Sequence, residues 1–191
     1  MRKLVLQMQI SVDGFVAGPN GELDWVFRST DETTAAWIVE RLWQAGVHIM
    51  GRRTFGDMAS HWPTSSEPYA APMNEIPKVV FTEQGFATSQ QAGPANAGSW
   101  DEATVVRGHL EDEIVGLKQQ SGKEILAHGG AGFAQALAIL DLVDEYRLIV
   151  HPVALGRGLP LFSQLSKPLD LELLSSTVFE SGSVAQVYGR A

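Results

Sequence analysis

Two short segments of the sequence carry the residue types that bind phosphate. The first is Gly51-Arg52-Arg53-Thr54, which directly follows the apolar residues 47–50. A helix that begins here would present unpaired N–H groups and a partial positive charge to an anion. Arginine guanidinium groups and a threonine hydroxyl are further phosphate donors. A capped helix with two solvated arginines fits the same four residues.

The second segment is His128-Gly129-Gly130-Ala131-Gly132, again between an apolar run and a helical pattern. Missing side chains let a pyrophosphate approach the backbone closely. The third glycine of the Rossmann fingerprint would fall at Gln135, so this segment is a different motif. Tight packing of a strand against a helix also explains a glycine-rich turn. Two such turns at the carboxyl ends of sheet strands nevertheless favour a dinucleotide ligand.

A third segment has the composition of a loop that closes over a planar ring. Residues 11–18 leave the first predicted strand and contain Gly14 and Gly18, and Trp25 follows soon after. Such a loop excludes water from a bound ring when it closes. Asp13-Gly14 alone also fits a simple turn.

The elements that position these segments alternate between strand and helix. The patterns predict strands at residues 4–10, 47–50, 78–82, 104–107, 123–128 and 145–150, and a terminal hairpin at 169–179 and 183–188. They predict helices at 31–45, ended by Gly46, at 111–120, and from Gly132 to about Leu140. Residues 60–77 are predicted to be a long surface loop, and 84–98 the least ordered stretch. This order predicts an α/β fold: one mixed sheet with helices on both faces.

Composition excludes several other classes of protein. The chain has 191 residues, a hydrophobic fraction of 45% and a charged fraction of 19%, which predicts one globular domain over residues 1–191. The absence of cysteine excludes disulfides, thiolate zinc sites and a cysteine nucleophile. The formal net charge of −8 disfavours nucleic-acid and membrane partners. Residues 1–10 favour a strand over a signal peptide, so we expect a cytoplasmic protein.

The order of the motifs resembles a known family over nearly the whole chain. The pieces are Ser11-Val12-Asp13-Gly14, Gly51-Arg52-Arg53-Thr54, Lys78-Val79-Val80-Phe81-Thr82, Gly129-Gly130, Leu142-Val143-Asp144-Glu145-Tyr146, Pro152-Val153-Ala154-Leu155-Gly156-Arg157-Gly158 and Leu161-Phe162. In this order they resemble the dihydrofolate reductase superfamily, and especially the RibD C-terminal domain family of riboflavin biosynthesis. The resemblance implies a dihydrofolate reductase-like fold with a mixed, mostly parallel sheet of about eight strands.

The resemblance also implies NADPH as the cofactor and assigns residues to it by position. Gly51, Arg52, Arg53 and Thr54 would hold the adenosine phosphates, and Thr82 would lie near the adenine ribose. The pyrophosphate would be wrapped by Gly129, Gly130, Ala131, Gly132 and Phe133. Gln9, Val16 and Ala17 would lie near the nicotinamide.

The expected catalytic carboxylate is the main departure from the family pattern. In dihydrofolate reductases an acid on the first helix binds the pterin and assists its protonation. Counting back from Gly51 places that position near Ala35, and counting forward from Trp25 places it near Thr30 and Asp31. Asp31 is therefore the candidate catalytic residue, although acids are favoured at the start of any helix.

These observations predict an NADPH-dependent reductase of the 5-amino-6-(5-phosphoribosylamino)uracil reductase type, acting on a small heterocycle. The alternatives are a dihydrofolate reductase and an NADP(H)-binding protein without turnover. No metal is predicted, because the histidines show no metal-ligand spacing. His151 is interpreted as a structural histidine at a strand end, and a homodimer is expected because related domains often form dimers.

Overall fold

The computed structural model describes residues 1–82 and 98–191, and within them ten strands form two sheets. The strands are β1 (Leu4–Ser11), β2 (Phe15–Ala17), β3 (Ala45–Gly51), β4 (Lys78–Phe81), β5 (Thr104–Val106), β6 (Glu124–Ala127), β7 (Glu145–His151), β8 (Leu159–Pro160), β9 (Leu171–Val178) and β10 (Val184–Arg190). The large sheet has the order β5-β4-β3-β6-β1-β7-β10-β9, and β2 pairs with β8. The predicted sheet of about eight strands is confirmed, whereas the small β2-β8 sheet was not predicted.

The large sheet is mostly parallel. The six strands from β5 to β7 run parallel to their neighbours, and β10 and β9 pair antiparallel at one end. The predicted C-terminal hairpin is therefore confirmed. Leu4, Val5 and Leu6 of the central β1 are fully buried, as expected for a parallel strand that is covered on both faces.

Helices cover both faces of the large sheet, as predicted. They are α1 (Glu32–Leu42), α2 (Arg52–His61), α3 (Ala70–Glu75), α4 (Leu110–Gln119) and α5 (Ala131–Ile139). Trp37 of α1, Phe55 of α2 and Met73 of α3 belong to one buried apolar cluster. Ile114 of α4 and Leu137 of α5 belong to the other. The two clusters are separated by the sheet.

The predicted end of the first helix is wrong. α1 ends at Leu42, with Trp43 as its C-cap, and Gly46 lies inside β3 instead of stopping the helix. Ala45 and residues 47–50 are buried, and β3 pairs with β6 from its first residue. Ala45, which the helical spacing assigned to the helix, therefore belongs to β3 because of its pairing with β6.

The predicted long loop at residues 60–77 is also wrong. It contains a 3-10 turn, Trp62–Thr64, and the short helix α3. Met73 and Ile76 are buried against the core, and this burial favours local order. Pro72 lies in the first turn of α3, where the missing N–H of proline costs nothing.

The stretch that we expected to be least ordered, residues 84–98, lies outside the described residues except for Gly98. No helix within residues 1–82 and 98–191 is both long enough and apolar enough to cross a membrane.

Candidate functional site

The two predicted phosphate turns lie side by side at one edge of the sheet. β3 and β6 are parallel neighbours, with Ile49 opposite Ala127, so their carboxyl ends meet at the same edge. Each turn leads directly into a helix, α2 after Gly51 and α5 after Gly130. The structure therefore brings together residues 51–54 and 128–132, the two segments predicted from the sequence to bind one dinucleotide.

Both helices begin without a side-chain cap. Their N-caps are Gly51 and Gly130, and neither helix has an acidic residue in its first turn. Glycine has no side chain, so neither N-cap residue makes a capping hydrogen bond. The positive ends of the two helix dipoles lie at the shared edge, where they favour an anion.

The glycines of the second turn have different structural requirements. Gly130 has a φ of 89°, and a Cβ there would lie 2.7 Å from Oγ1 of Thr54, so the fold itself requires glycine. A Cβ on Gly129 would lie 3.0 Å from Sδ of Met8. A Cβ on Gly132 would meet no described atom within 4 Å. Gly132 therefore faces open space that a ligand can fill.

Phe133 and Thr82 complete the walls of this edge. The ring of Phe133 lies 5.4 Å from that of Phe81 at the end of β4, and its Cβ would lie 3.6 Å from a Cβ on Gly51. Thr82 follows β4, and its backbone N–H donates to Val106. Arg52 and Arg53 lie exposed in the first turn of α2. All the residues predicted to hold the adenosine phosphates and the pyrophosphate thus lie at or beside one edge.

Val16 and Ala17 are buried in β2, which pairs antiparallel with β8. Gly158 passes so close to this strand that a Cβ would lie 2.3 Å from the carbonyl oxygen of Ala17. Asp13 fastens the preceding loop, because its carboxylate accepts from the N–H groups of Leu155 at 3.0 Å and Gly156 at 2.7 Å. Hydrogen bonds, chiefly that from the Ser11 hydroxyl, lower the pKa of Asp13 to about 2. The loop after β1 is therefore held against the loop after β7.

Gln9 belongs to a hydrogen-bond chain that the sequence did not predict. Its Oε1 lies 2.7 Å from Nε2 of His151, whose Nδ1 lies 2.7 Å from Oγ of Ser29. The indole of Trp25 meets the His151 ring edge-on, with centroids 5.4 Å apart. Burial lowers the pKa of His151 to about 4. A polar residue near the end of the apolar strand β1 was the signal that could have revealed this chain.

Asp31 is the N-cap of α1. Its carboxylate accepts from the N–H of Thr34 at 2.8 Å, from the hydroxyl of Thr33 at 2.7 Å and from the N–H of Ser181 at 2.6 Å. These donors, the Thr34 N–H first, hold the pKa of Asp31 well below its usual range, which disfavours the protonated form that a proton donor needs. The catalytic role of Asp31 stays a prediction, and the geometry supports a capping role instead.

Three buried basic side chains lie beneath the helix layer of α1 to α3. The rings of His48 and His128 meet edge-on, with centroids 4.5 Å apart. Burial lowers the pKa of His128 to about 3 and that of Lys78 to about 7. Burial, His128 and Lys78 together hold the pKa of His48 well below its usual range. Both histidines are therefore neutral at pH 7.

The sequence profile of the RibD C-terminal domain family matches residues 2–185. The chain belongs to the RibD C-terminal domain family. Among curated relatives, the uncharacterized protein YyaP of Bacillus subtilis is 30% identical over 187 residues, which is 98% of this chain and 94% of YyaP.

Solved structures place this RibD C-terminal domain protein in a dihydrofolate reductase-like fold, as predicted. A putative riboflavin biosynthesis protein from Shewanella sp. PV-4 is 25% identical, with a TM-score of 0.77 and 99% of each chain covered. A diaminohydroxyphosphoribosylaminopyrimidine deaminase/5-amino-6-(5-phosphoribosylamino)uracil reductase from Thermotoga maritima is 15% identical, with a TM-score of 0.67, and the match covers all of this chain and 57% of that one. A dihydrofolate reductase from Enterococcus faecalis, solved with NADP(H), is 15% identical, with a TM-score of 0.61 and coverage of 98% and 96%. The last two matches show the fold.

Proposed function

We propose that this protein is an NADPH-dependent reductase that transfers hydride to a small heterocycle, of the 5-amino-6-(5-phosphoribosylamino)uracil reductase type. One observation carries the proposal: two helices without side-chain caps begin at the same edge of the sheet, at Gly51 and Gly130. A dinucleotide has phosphates enough to occupy both N-termini. The family membership supports the reductase type.

The residues at this edge fit the cofactor. Gly51, Arg52, Arg53 and Thr54 would hold the adenosine phosphates, with the planar guanidinium groups suited to a 2′-phosphate. Thr82 would lie beside the adenine ribose. These five residues follow β3 and β4, which are neighbours in the sheet.

The remaining predicted residues would hold the other half of the dinucleotide. The turn of Gly129, Gly130, Ala131, Gly132 and Phe133 would take the pyrophosphate, and the open space beside Gly132 is where its backbone can be approached.

Gln9, Val16 and Ala17 would border the nicotinamide. NADPH, when bound, supplies the hydride, and the chain's own task is to hold the two rings together and exclude water. The hydrogen bonds of Asp13 to Leu155 and Gly156 support this task by closing the β1 side of the cleft.

A dihydrofolate reductase activity is the nearest alternative. The position that family spacing gives for the pterin-binding acid holds Ala35, and Asp31 is occupied as a helix cap. Both observations favour the aminopyrimidine reductase over the dihydrofolate reductase. Competition between methotrexate and substrate distinguishes them, because methotrexate mimics the pterin.

The test of the proposed function is NADPH oxidation, followed by loss of absorbance at 340 nm. We expect turnover with 5-amino-6-(5-phosphoribosylamino)uracil and no inhibition by methotrexate. Turnover with dihydrofolate and inhibition by methotrexate would favour the alternative. NADPH binding without oxidation across both substrates would indicate a binding protein without turnover.

We also propose that residues 1–191 form one domain, that the protein works in the cytoplasm and that it forms a homodimer through β9. β9 is an edge strand, and its Leu173, Leu174 and Val178 side chains are 52%, 53% and 74% exposed. Among the described residues no strand pairs with the outer edge of β9, and an apolar edge of this length favours pairing with a second copy. Sedimentation velocity tests this: a monomer at micromolar concentration would contradict it.

A further inference from the structure

Gln9 lies near the carboxyl end of β1, between β6 and β7. Successive side chains of a strand face opposite sides of the sheet. Met8 faces the turn before α5, where its Sδ would lie 3.0 Å from a Cβ on Gly129. Gln9 therefore faces the other side, where α1 packs, and it is half-buried at the edge that the proposed cofactor shares.

The placement of the Gln9 amide against His151 implies a direction for their hydrogen bond. Oε1 of Gln9 faces Nε2 of His151 at 2.7 Å, and an amide oxygen only accepts, so this arrangement goes with the Nε2–H tautomer of His151. His151 is fully buried, and burial lowers its pKa to about 4, so the ring is neutral near pH 7. Its Nδ1 then has a lone pair that accepts from the hydroxyl of Ser29 at 2.7 Å. The chain runs from Ser29 through His151 to Gln9.

This direction determines what Gln9 presents to a ligand. Its oxygen is paired with Nε2 of His151, which is the one side-chain hydrogen bond of Gln9 within the described residues and leaves its amide nitrogen for a ligand. The nitrogen carries two hydrogens. The indole of Trp25 packs edge-on against the His151 ring and restricts the ring that positions the amide.

We propose that Gln9 is a ligand-reading residue whose N–H groups bind a carbonyl oxygen or unprotonated ring nitrogen of a bound heterocycle, and that His151 is its positioning residue. This inference rests on the proposed function, which places a heterocyclic ring at this edge. The acceptor belongs either to the carboxamide of the nicotinamide or to the ring of the substrate, and a pyrimidinedione carries two such oxygens. A ring that offers only donors here is rejected, because its N–H would face the N–H of Gln9.

The first test determines, in the ligand-free protein, the donor–acceptor direction of the hydrogen bonds from Ser29 through His151 to Gln9. Long-range ¹H–¹⁵N correlation spectra of ¹⁵N-histidine protein report which ring nitrogen carries the hydrogen, and the signal that disappears in His151→Phe identifies the residue. We expect the neutral Nε2–H form at pH 7. The Nδ1–H form would mean that Gln9 turns its nitrogen to His151 and its oxygen to the ligand, which would overturn the proposal.

The second test replaces the donor. Gln9→Glu keeps the oxygen that accepts from His151 and exchanges the outward N–H groups for an oxygen, and Gln9→Met removes both. The probes are NADPH, 2′-phospho-ADP-ribose, which lacks the nicotinamide, and 5-aminouracil as a pyrimidinedione. Gln120→Glu makes the same chemical change at an exposed position after α4 and serves as the control.

We expect both Gln9 variants, and His151→Phe, to bind either NADPH or 5-aminouracil about tenfold or more weakly. A loss confined to NADPH assigns the acceptor to the nicotinamide, and one confined to 5-aminouracil assigns it to the substrate. Affinity for 2′-phospho-ADP-ribose should not change in any of them. Wild-type affinity of both Gln9 variants for all three probes would overturn the inference. Failure of the wild type to bind 2′-phospho-ADP-ribose would instead refute the proposed function, and the tautomer of His151 would still decide the direction of the chain.

Discussion

A Cβ atom on Gly130 would lie 2.7 Å from Oγ1 of Thr54, so the turn before α5 touches the first turn of α2. This contact makes the two helix N-termini one site rather than two. The two motifs lie more than 70 positions apart in the sequence, and this contact places them in one site. A ligand that binds one N-terminus necessarily lies against the other.

Gly130 is required by the fold because of this contact, whereas Gly132 faces open space where a ligand can bind. Gly130→Val would remove ligand binding, but it would also strain a φ of 89° and displace Thr54. Gly132→Val is the cleaner variant, because a Cβ there faces open space. We expect it to keep the melting temperature within a few degrees and to weaken NADPH binding at least about tenfold. Calorimetry and thermal unfolding check the two results, and unchanged NADPH affinity would remove the pyrophosphate from this turn.

Arg52 is predicted to discriminate between the two nicotinamide cofactors. Its guanidinium should pair with the 2′-phosphate of NADPH, and a hydrogen bond between charged groups contributes about 1.5–3 kcal/mol. Arg52→Ala should therefore weaken NADPH binding about tenfold to a hundredfold and leave NADH binding nearly unchanged. Calorimetric titration with each nucleotide measures this, and Arg52→Lys tests whether charge alone suffices. Equal losses for both nucleotides would contradict the assignment.

Asp31 can be tested as a cap and as a catalyst with one variant. Asp31→Asn keeps an oxygen for the N–H of Thr34 but loses the acceptor for Ser181. We expect a lower melting temperature, because the start of α1 is less firmly fixed to the β9-β10 turn, and a kcat close to that of the wild type. A large fall in kcat at an unchanged melting temperature would instead support catalysis by this residue.

The buried histidines predict that acid destabilises the fold. His48 and His128 stay neutral in the folded protein, where the pKa of His128 is lowered to about 3, while in the unfolded chain both titrate near the ordinary histidine pKa of about 6.5. The unfolded state therefore binds more protons below pH 6.5, and stability falls as the pH falls from 6.5 towards 3. At pH 5 the loss from His128 should be on the order of 2 kcal/mol, and His48 contributes in the same direction. Lys78 lies near both rings, and its positive charge adds to the cost of protonating them.

Urea unfolding at pH 7.5 and pH 5 measures this loss, and His128→Phe should reduce it. His109, which is exposed before α4, provides the control variant His109→Gln, which should keep the full pH dependence. Equal stability of the wild type at the two pH values would contradict the neutral buried pair.

Local patterns predicted the elements and the phosphate turns because their causes are local. Gly51 could be recognised because it ends β3 and opens α2, and Gly130 because it follows the apolar strand β6 closely and opens α5. The end of α1 could not be predicted from local spacing. Gly46 was predicted to stop the helix, whereas it lies in β3, whose start is determined by pairing with β6. The burial of Met73, a residue of α3, likewise could not be predicted in a segment rich in proline and serine.

The chain from Ser29 through His151 to Gln9 could not be predicted for the same reason. Ser29 and His151 are 122 positions apart, and Gln9 and His151 are 142 apart. Only the sheet order, which places β1 beside β7, brings them together. The sequence offered the single signal of a glutamine near the end of an apolar strand.

The central claim is that the shared edge of β3 and β6 binds NADPH. The measurement that tests it most directly is calorimetric titration of the purified protein with NADPH and, separately, with NADH. We predict saturable binding of NADPH at one site for each chain and binding of NADH at least about tenfold weaker. Absence of binding by either nucleotide would contradict the account, because the uncapped turns at Gly51 and Gly130 would then have only a structural role.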